Sequence, residues 1–306
     1  MKWSKPISAA QPCELFLEND ALKASFLPHD GGRLTSLVAK PGGRDFIWTN
    51  ARTTPLSRYH GANYDNLSAG GVEEAFPNVY ADTIDGNELP FFGEVWPVCW
   101  SFQDSAKGEG WLMEADCGAY PVRVSKEWTL LPDGLLCAYT LDNLSGLTLP
   151  YLFGVHPSLR IEPGDELHLP DDDYRTGEMF PANQPCQESF KWPLLGGRDL
   201  RYPPQTACEY LQFFTEAAGG KIAVSSERDN SRLDILWDNA YFTALSVWML
   251  YGGWRGHYCV MAEFFSGWPL VLSQAAAERK CTFLNPGEKQ HTNVLYKLSA
   301  GIPHLK

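Results

Sequence analysis

Long apolar runs are scarce in this 306-residue chain. The strongest, Phe242 to Leu250, is broken by Thr243, Ala244 and Ser246, and a membrane helix needs about 18 apolar residues in a row. A leader is equally hard to find: Met1-Lys2-Trp3-Ser4-Lys5-Pro6 runs into Ala9-Ala10-Gln11-Pro12 without an apolar core, which predicts a cytoplasmic protein with no membrane partner. Basic residues are few. With 25 Lys and Arg against 37 Asp and Glu, a net charge of −12 and no basic run, the chain is not built to neutralise a phosphate backbone, so no nucleic-acid partner is expected. The eight cysteines, at positions 13, 99, 117, 137, 186, 208, 259 and 281, form no Cys-x-x-Cys pair and no Cys/His set at zinc spacing. Free thiols and no metal follow, with Cys137 and Cys259 reading as small core residues inside alternating apolar segments. Gly-x-Gly-x-x-Gly, Gly-x-x-x-x-Gly-Lys-Ser/Thr and Gly-x-Ser-x-Gly are all missing, which argues against a nucleotide cofactor, phosphoryl transfer and α/β-hydrolase chemistry.

Helix is also rare. Only Ser273 to Lys280, centred on Ala275-Ala276-Ala277-Glu278-Arg279, has the propensity for one, and it is about two turns long. Turn formers are abundant instead: 27 Gly and 22 Pro make up about 16% of the chain, against about 12% in average usage. A composition of 44% hydrophobic and 20% charged residues fits a globular chain with a large core. Its dominant period is two. Val122, Val124, Trp128 and Leu130 form one row, Pro132-Asp133-Gly134 turns the chain, and Leu135, Cys137, Tyr139 and Leu141 form the return row. Ile222 and Val224 pair likewise with Leu233, Ile235 and Trp237 across a polar turn. Further strands are expected over 14–18, 21–27, 33–39, 45–49, 242–250, 257–265 and 291–298. With no internal repeat and no strand–helix alternation, the expectation is an all-β antiparallel sandwich: one domain over 1–306, with a loop-rich insertion near 162–205.

Six segments stand out in order: Gly31-Gly32-Arg33-Leu34-Thr35-Ser36-Leu37, Gly70-Gly71-Val72-Glu73-Glu74-Ala75-Phe76-Pro77-Asn78, Phe92-Gly93-Glu94-Val95-Trp96, Gly154-Val155-His156-Pro157, Ala262-Glu263-Phe264 and Asn285-Pro286-Gly287-Glu288. The ordered set, with Leu141-Asp142-Asn143 leading into the fourth segment, resembles the aldose 1-epimerase (galactose mutarotase-like) family from about residue 14 to about 298. The resemblance implies a β-supersandwich that holds a sugar in an open cleft. It also implies that a histidine protonates the ring oxygen of a pyranose while a carboxylate removes the anomeric hydroxyl proton. Here His156 would be the acid and Glu263 the base, with no cofactor.

The residues themselves are compatible with those roles. Histidine can give and recover a proton near neutrality, and general acid/base catalysis is typically worth about 10²–10⁴-fold. Glu263 shares a strand face with Met261 and Cys259, and apolar surroundings raise a carboxylate's basicity. The competing reading makes His156 a hydrogen-bonded structural residue and Glu263 a salt-bridged one. Glu73, Glu74 and Asn78 could hydrogen-bond sugar hydroxyls from a loop after Gly70-Gly71, or belong to a solvated turn. Phe92, Glu94 and Trp96 complete the expected sugar-binding set. Among the tryptophans, Trp96, Trp248, Trp254 and Trp268 could stack a pyranose or fill the core, and Trp248 is preferred for stacking because it precedes Glu263 on the adjacent strand.

The resemblance departs at one place. Related sequences carry a second histidine just before the Gly-Glu-x-Trp segment, where this chain has Phe91-Phe92, and Val79-Tyr80 follow Asn78 where an arginine is common. Three readings follow: an epimerase for a sugar that is deoxygenated, methylated or otherwise apolar at one position; a sugar-binding protein without catalysis; or a sugar-phosphate anomer epimerase, for which only Arg52 and Arg58 hint at a phosphate site. In each case the partner is a small carbohydrate, bound by a monomer or homodimer.

Overall fold

The computed structural model describes residues 13–40, 42–50, 61–177, 188–206, 208–216 and 219–300. Two antiparallel sheets dominate. The larger has eleven strands, in the order Leu15–Glu18, Leu22–Leu27, Arg33–Ala39, Val72–Ala75, Gly154–Leu159, Tyr258–Phe265, Ala244–Tyr251, Glu209–Thr215, Asp173–Thr176 and Ser189–Lys191, with Arg44–Asp45 paired to the third. The smaller has eight, in the order Asp165–His168, Lys221–Ser226, Ser231–Trp237, Lys289–Ala300, Gly134–Asn143, Val122–Leu131, Gly110–Asp116 and Ser101–Asp104. Among the described residues no helix is long and apolar enough to cross a membrane.

The period-two rows fold as expected. Val122 pairs with Asn143 and Leu131 with Gly134, and every second residue of the return strand, Leu135, Cys137, Tyr139 and Leu141, is buried. These side chains point at the inner face of the larger sheet. Phe26 meets Trp128 at 5.1 Å between ring centroids, and Phe264 stacks on Trp237 at 4.3 Å and 6°. Each such aromatic contributes about 1.5–3 kcal/mol of burial, and offset or edge contacts add to it. Cys137 and Cys259 are buried free thiols, and burial pushes both up from the ordinary thiol range.

Three details differ from the sequence expectation. Over 45–49 only Arg44–Asp45 is a strand, and Ile47 and Thr49 make single bridges to Leu159 and Gly70. The helix runs Leu272–Ala277, starting and ending earlier than the propensity implied. Between 162 and 205 the chain contributes Asp165–His168 to the smaller sheet, and Asp173–Thr176 and Ser189–Lys191 to the far edge of the larger one.

The larger sheet has a second face, away from the sandwich core. On strand Tyr258–Phe265 the even positions Val260, Ala262 and Phe264 pack inward, which leaves Cys259, Met261 and Glu263 on the outer face. That face is covered by Trp48–Asn50, a short helix over Tyr64–Leu67 and a loop around Phe91 and Phe92, so the strand is buried on both sides.

Candidate active site

Strand register assembles a row of side chains across the outer face. Glu73 pairs with His156, and His156 sits opposite Glu263, between the pairs Val155↔Phe264 and Ser158↔Met261. Ser246 follows beside Glu263 and Phe214 beside Ser246. A second row two residues along holds Ser158, Met261, Trp248 and Gln212. Residues i and i+2 share a strand face, so both rows lie on the outer face, and His156, Glu263, Met261, Trp248 and Gln212 from them line one cleft.

The result is a narrow cleft enclosing about 720 Å³ of empty space, mouth included. His156 and Glu263 lie at its floor with 3% and 4% of their surfaces exposed, and Nε2 of His156 is 3.0 Å from Oε1 of Glu263. Burial draws the His156 pKa down. The adjacent Glu263 charge, the hydrogen bond to that carboxylate and the charge of Glu73 more than offset burial, leaving the imidazole above its ordinary value. The neighbouring carboxylates therefore favour the protonated form of the imidazole. Among the described residues its Nδ1 has no hydrogen-bond partner.

Glu73 reaches the site from one layer behind. Its Oε2 accepts from the Tyr64 hydroxyl at 2.8 Å and the Ser68 hydroxyl at 3.2 Å, and its Oε1 is 3.8 Å from Nη1 of Arg33. Arg33 is itself buried, bonded to Asp30 and to the carbonyl of Gly70. Tyr64 stacks on Phe92 at 4.0 Å and 25°, and presents its ring to the edge of His156 at 6.0 Å. Phe92 meets His156 edge-on at 5.3 Å and 86°.

Phe92 is held there against a local preference. Its φ is 66°, a left-handed conformation that costs a bulky residue of order 1–3 kcal/mol and persists only when the surroundings over-determine it. They do: its N–H donates to the Val79 carbonyl at 2.6 Å, and the following Gly93 N–H donates to Pro90 at 3.1 Å to close the turn. The Asn78 amide clamps the loop by donating to the carbonyls of Tyr80 at 2.7 Å and Pro90 at 2.8 Å.

Several residues expected to bind sugar stand elsewhere. Glu74 faces the opposite way from Glu73, into the core, where it pairs with Lys126 at 2.6 Å and accepts from Tyr139 at 2.9 Å. Glu94 accepts the backbone N–H groups of Ala119 and Tyr120 at 2.8 and 2.9 Å, which fixes a turn. Asn78 positions the Phe92 loop, and buried Trp96 supports Tyr64 edge-to-face at 5.0 Å. Trp268 stacks on Phe214 at 4.4 Å outside the cleft. Trp248 and Trp254 line the cleft with Phe92. Arg52 and Arg58 lie outside the described residues.

The cleft also contains residues that the sequence reading missed: Trp48, Asn50, Tyr64, Gln212 and a second histidine, His257. Alternation had a signal for His257, because 257, 259, 261 and 263 share one parity. For Trp48, Asn50 and Tyr64 no local pattern exists, since they arrive from segments that fold over the sheet. Among the described residues no group of three or more His, Cys, Asp or Glu is placed to hold a metal ion.

No protein-family model matches the chain, and no curated protein matches it by sequence. Solved structures do. A protein from Synechocystis sp. PCC 6803 superposes with a TM-score of 0.73 at 16% identity, covering 98% of this chain and 100% of its own. A galactose mutarotase-like protein from Lactobacillus casei gives 0.65 at 15%, covering 94% and 100%. A galactose mutarotase related enzyme from Lactobacillus acidophilus gives 0.66 at 13%, covering 96% and 100%. The chain has the galactose mutarotase-like fold.

Proposed function

We propose that this chain is an aldose 1-epimerase in which His156 is the general acid and Glu263 the general base. The observation that carries the reading is the pairing of these two side chains, 3.0 Å apart on the cleft floor. The anomeric carbon of a pyranose bears both the ring oxygen and the hydroxyl to be deprotonated, so acid and base must converge on one carbon. A sugar entering the cleft replaces the direct His156–Glu263 hydrogen bond with one contact to each oxygen.

The step balances without a cofactor. Glu263 takes the anomeric hydroxyl proton, the O–H electrons form the carbonyl, the bond from the anomeric carbon to the ring oxygen breaks, and that oxygen takes the His156 proton. Rotation about the first carbon–carbon bond presents the other carbonyl face. Reclosure returns one proton to His156 and takes one from Glu263, leaving the enzyme as it began. The raised His156 pKa supports its role as the acid.

Phe92 and Tyr64 give the wall beside His156 an apolar surface. That wall favours a sugar with a hydroxyl replaced by hydrogen or methyl on the facing edge, because burying an unpaired hydroxyl there costs binding. The ligand is a free carbohydrate, with no nucleic acid or membrane involved. The test is α/β exchange followed by NMR magnetisation transfer over a panel of aldoses and deoxy-aldoses. Protein-dependent exchange, fastest for a deoxy or methylated sugar, is the expected result. Line-broadening that reports binding without exchange for any sugar would replace catalysis with carbohydrate binding.

A further inference from the structure

The first row on the outer face does not end at Glu73. Leu34 pairs with Val72, so in the antiparallel register Arg33 stands opposite Glu73 on the next strand. Arg33, Glu73, His156 and Glu263 thus follow one another on four adjacent strands, and basic and acidic side chains alternate along them. All four are buried, with at most 4% of their surfaces exposed. A tight turn places Arg33. Gly31 and Gly32 both have positive φ, at 74° and 61°, and a Cβ on Gly31 would fall 2.3 Å from the Trp96 carbonyl oxygen. The guanidinium doubles back over the turn: Nε donates to the Asp30 carbonyl at 3.1 Å and Nη2 to the Asp30 carboxylate. Its Nη1 donates to the Gly70 carbonyl and lies 3.8 Å from Oε1 of Glu73.

Glu73 needs such a neighbour. It is wholly buried, and a carboxylate out of water takes up a proton unless a cation and hydrogen-bond donors hold its charge. The Tyr64 and Ser68 hydroxyls donate to one oxygen, and Arg33 stands beside the other. Tyr64 remains a neutral donor, because burial and the charges of Glu73 and Glu263 push its hydroxyl well above the ordinary phenol range. Among the described residues, the titratable and charged groups facing His156 are Glu73 on one neighbouring strand, Glu263 on the other and Tyr64 from the covering helix, while the Phe92 loop presents only a ring. Those facing Glu73 are Arg33, His156 and Tyr64, with Glu74 on the opposite face of its own strand.

We propose that Arg33 is a positioning residue for the acid: it keeps Glu73 a carboxylate beside His156, and Glu73 in turn holds the proton on the imidazole. A guanidinium suits the place because it keeps its charge when buried, where an ammonium loses it readily. The competing role, in which Arg33 only pins the Gly31-Gly32 turn through Asp30, makes a different prediction. So does a direct effect of its charge. Deleting a cation near a histidine directly raises the imidazole's pKa, since a like charge has gone. Deleting Arg33 through Glu73 lowers it, since the stranded carboxylate takes up a proton and no longer favours the imidazolium. The consequence for catalysis rests on the epimerase reading; the consequence for His156 protonation does not.

The experiment titrates the His156 imidazole by NMR, its signal assigned by loss in His156→Ala, in the native protein, Arg33→Met, Arg33→Lys and Asp30→Asn, and follows anomer exchange against pH in each. The expected result is a fall of about one pH unit in Arg33→Met, a tenfold change in the proton equilibrium, mostly restored in Arg33→Lys and matched by the alkaline limb of kcat. Asp30→Asn breaks the same turn bond but leaves Arg33 to Glu73, so its titration moves much less. Two further arms do not depend on the folding of Arg33→Met. The Glu73 carboxyl of the native protein, followed by carbon-13 NMR, is ionised at neutral pH, and Arg33→Met/Glu73→Gln titrates like Glu73→Gln alone because no Glu73 charge is left to preserve. An unmoved or raised titration in Arg33→Met, an equal fall in Asp30→Asn, a Glu73 carboxyl already protonated, or a higher value in the double variant would overturn the proposal. The expected titrations with no exchange of any sugar would uphold Arg33 and overturn the epimerase reading. Exchange in the native protein with an unmoved titration in Arg33→Met would overturn Arg33 and leave the epimerase reading standing.

Discussion

At the scale of single residues, His156 between two carboxylates explains more of the site than any other placement. Glu263 on one side and Glu73 on the other keep the imidazole protonated above its ordinary pKa. An acid catalyst fails once deprotonated, so exchange should fall as pH rises through that raised pKa. Replacing Glu73 by Gln removes one of the charges that raise it, and the alkaline limb of kcat against pH should move to lower pH, with Tyr64→Phe, which keeps the charge, moving it less. An unmoved limb in Glu73→Gln would mean that Glu73 serves only to hold Tyr64. The same shift has a stability side: a histidine raised on folding stabilises the fold fully below its unfolded pKa near 6.5, and that contribution is lost as pH rises through the folded value. His156 and Glu263 were legible in the sequence because each sits in a short ordered motif. Glu74 was not separable from Glu73 there, since adjacent strand residues point to opposite faces and nothing in Glu73-Glu74 says which face is the cleft.

At the scale of elements, the Phe92 turn shows two opposing terms. Phe92→Gly relieves left-handed strain worth about 1–3 kcal/mol, but deletes a ring whose truncation costs about 3–5 kcal/mol in a packed site. The expected net effect is a loss of roughly 2 kcal/mol in denaturant unfolding, so an unchanged midpoint would show that the ring is not packed as described. Hairpins were readable because turn chemistry and alternation agree, as in Leu131-Pro132-Asp133-Gly134. Strand Gly154–Leu159 hid its period because all six residues are buried, one face by the core and the other by the cleft cover. The Asn143 segment, part of the ordered motif set, turns out to be a staple: its amide donates to the carbonyls of Leu147, Leu284 and Asn285 at 2.7, 3.0 and 2.9 Å, tying two distant motifs together.

At the scale of the whole molecule, the Glu74–Lys126 pair joins the two sheets through the core, one partner on each. Burial pushes the Glu74 carboxyl up, while the Lys126 ammonium and the Tyr139 hydroxyl pull it back only part of the way. Removing one partner strands a buried charge, so Lys126→Met should cost roughly 3–5 kcal/mol, and Glu74→Gln with Lys126→Met should recover most of it. A double variant no more stable than the single one would assign the loss to packing around Trp100, over which the ammonium sits at 4.3 Å. The cleft opens on the sheet face that the core does not use, and there His156 and Glu263 come from neighbouring strands far apart in sequence. The most direct measurement is the rate of anomer exchange in the native protein, His156→Ala and Glu263→Gln at one sugar concentration and equal folded fraction. The account predicts a fall of at least about 10²-fold in each variant and no further fall when both are combined, because the two act on one step. Exchange that persists within a few-fold of native in either variant would contradict it.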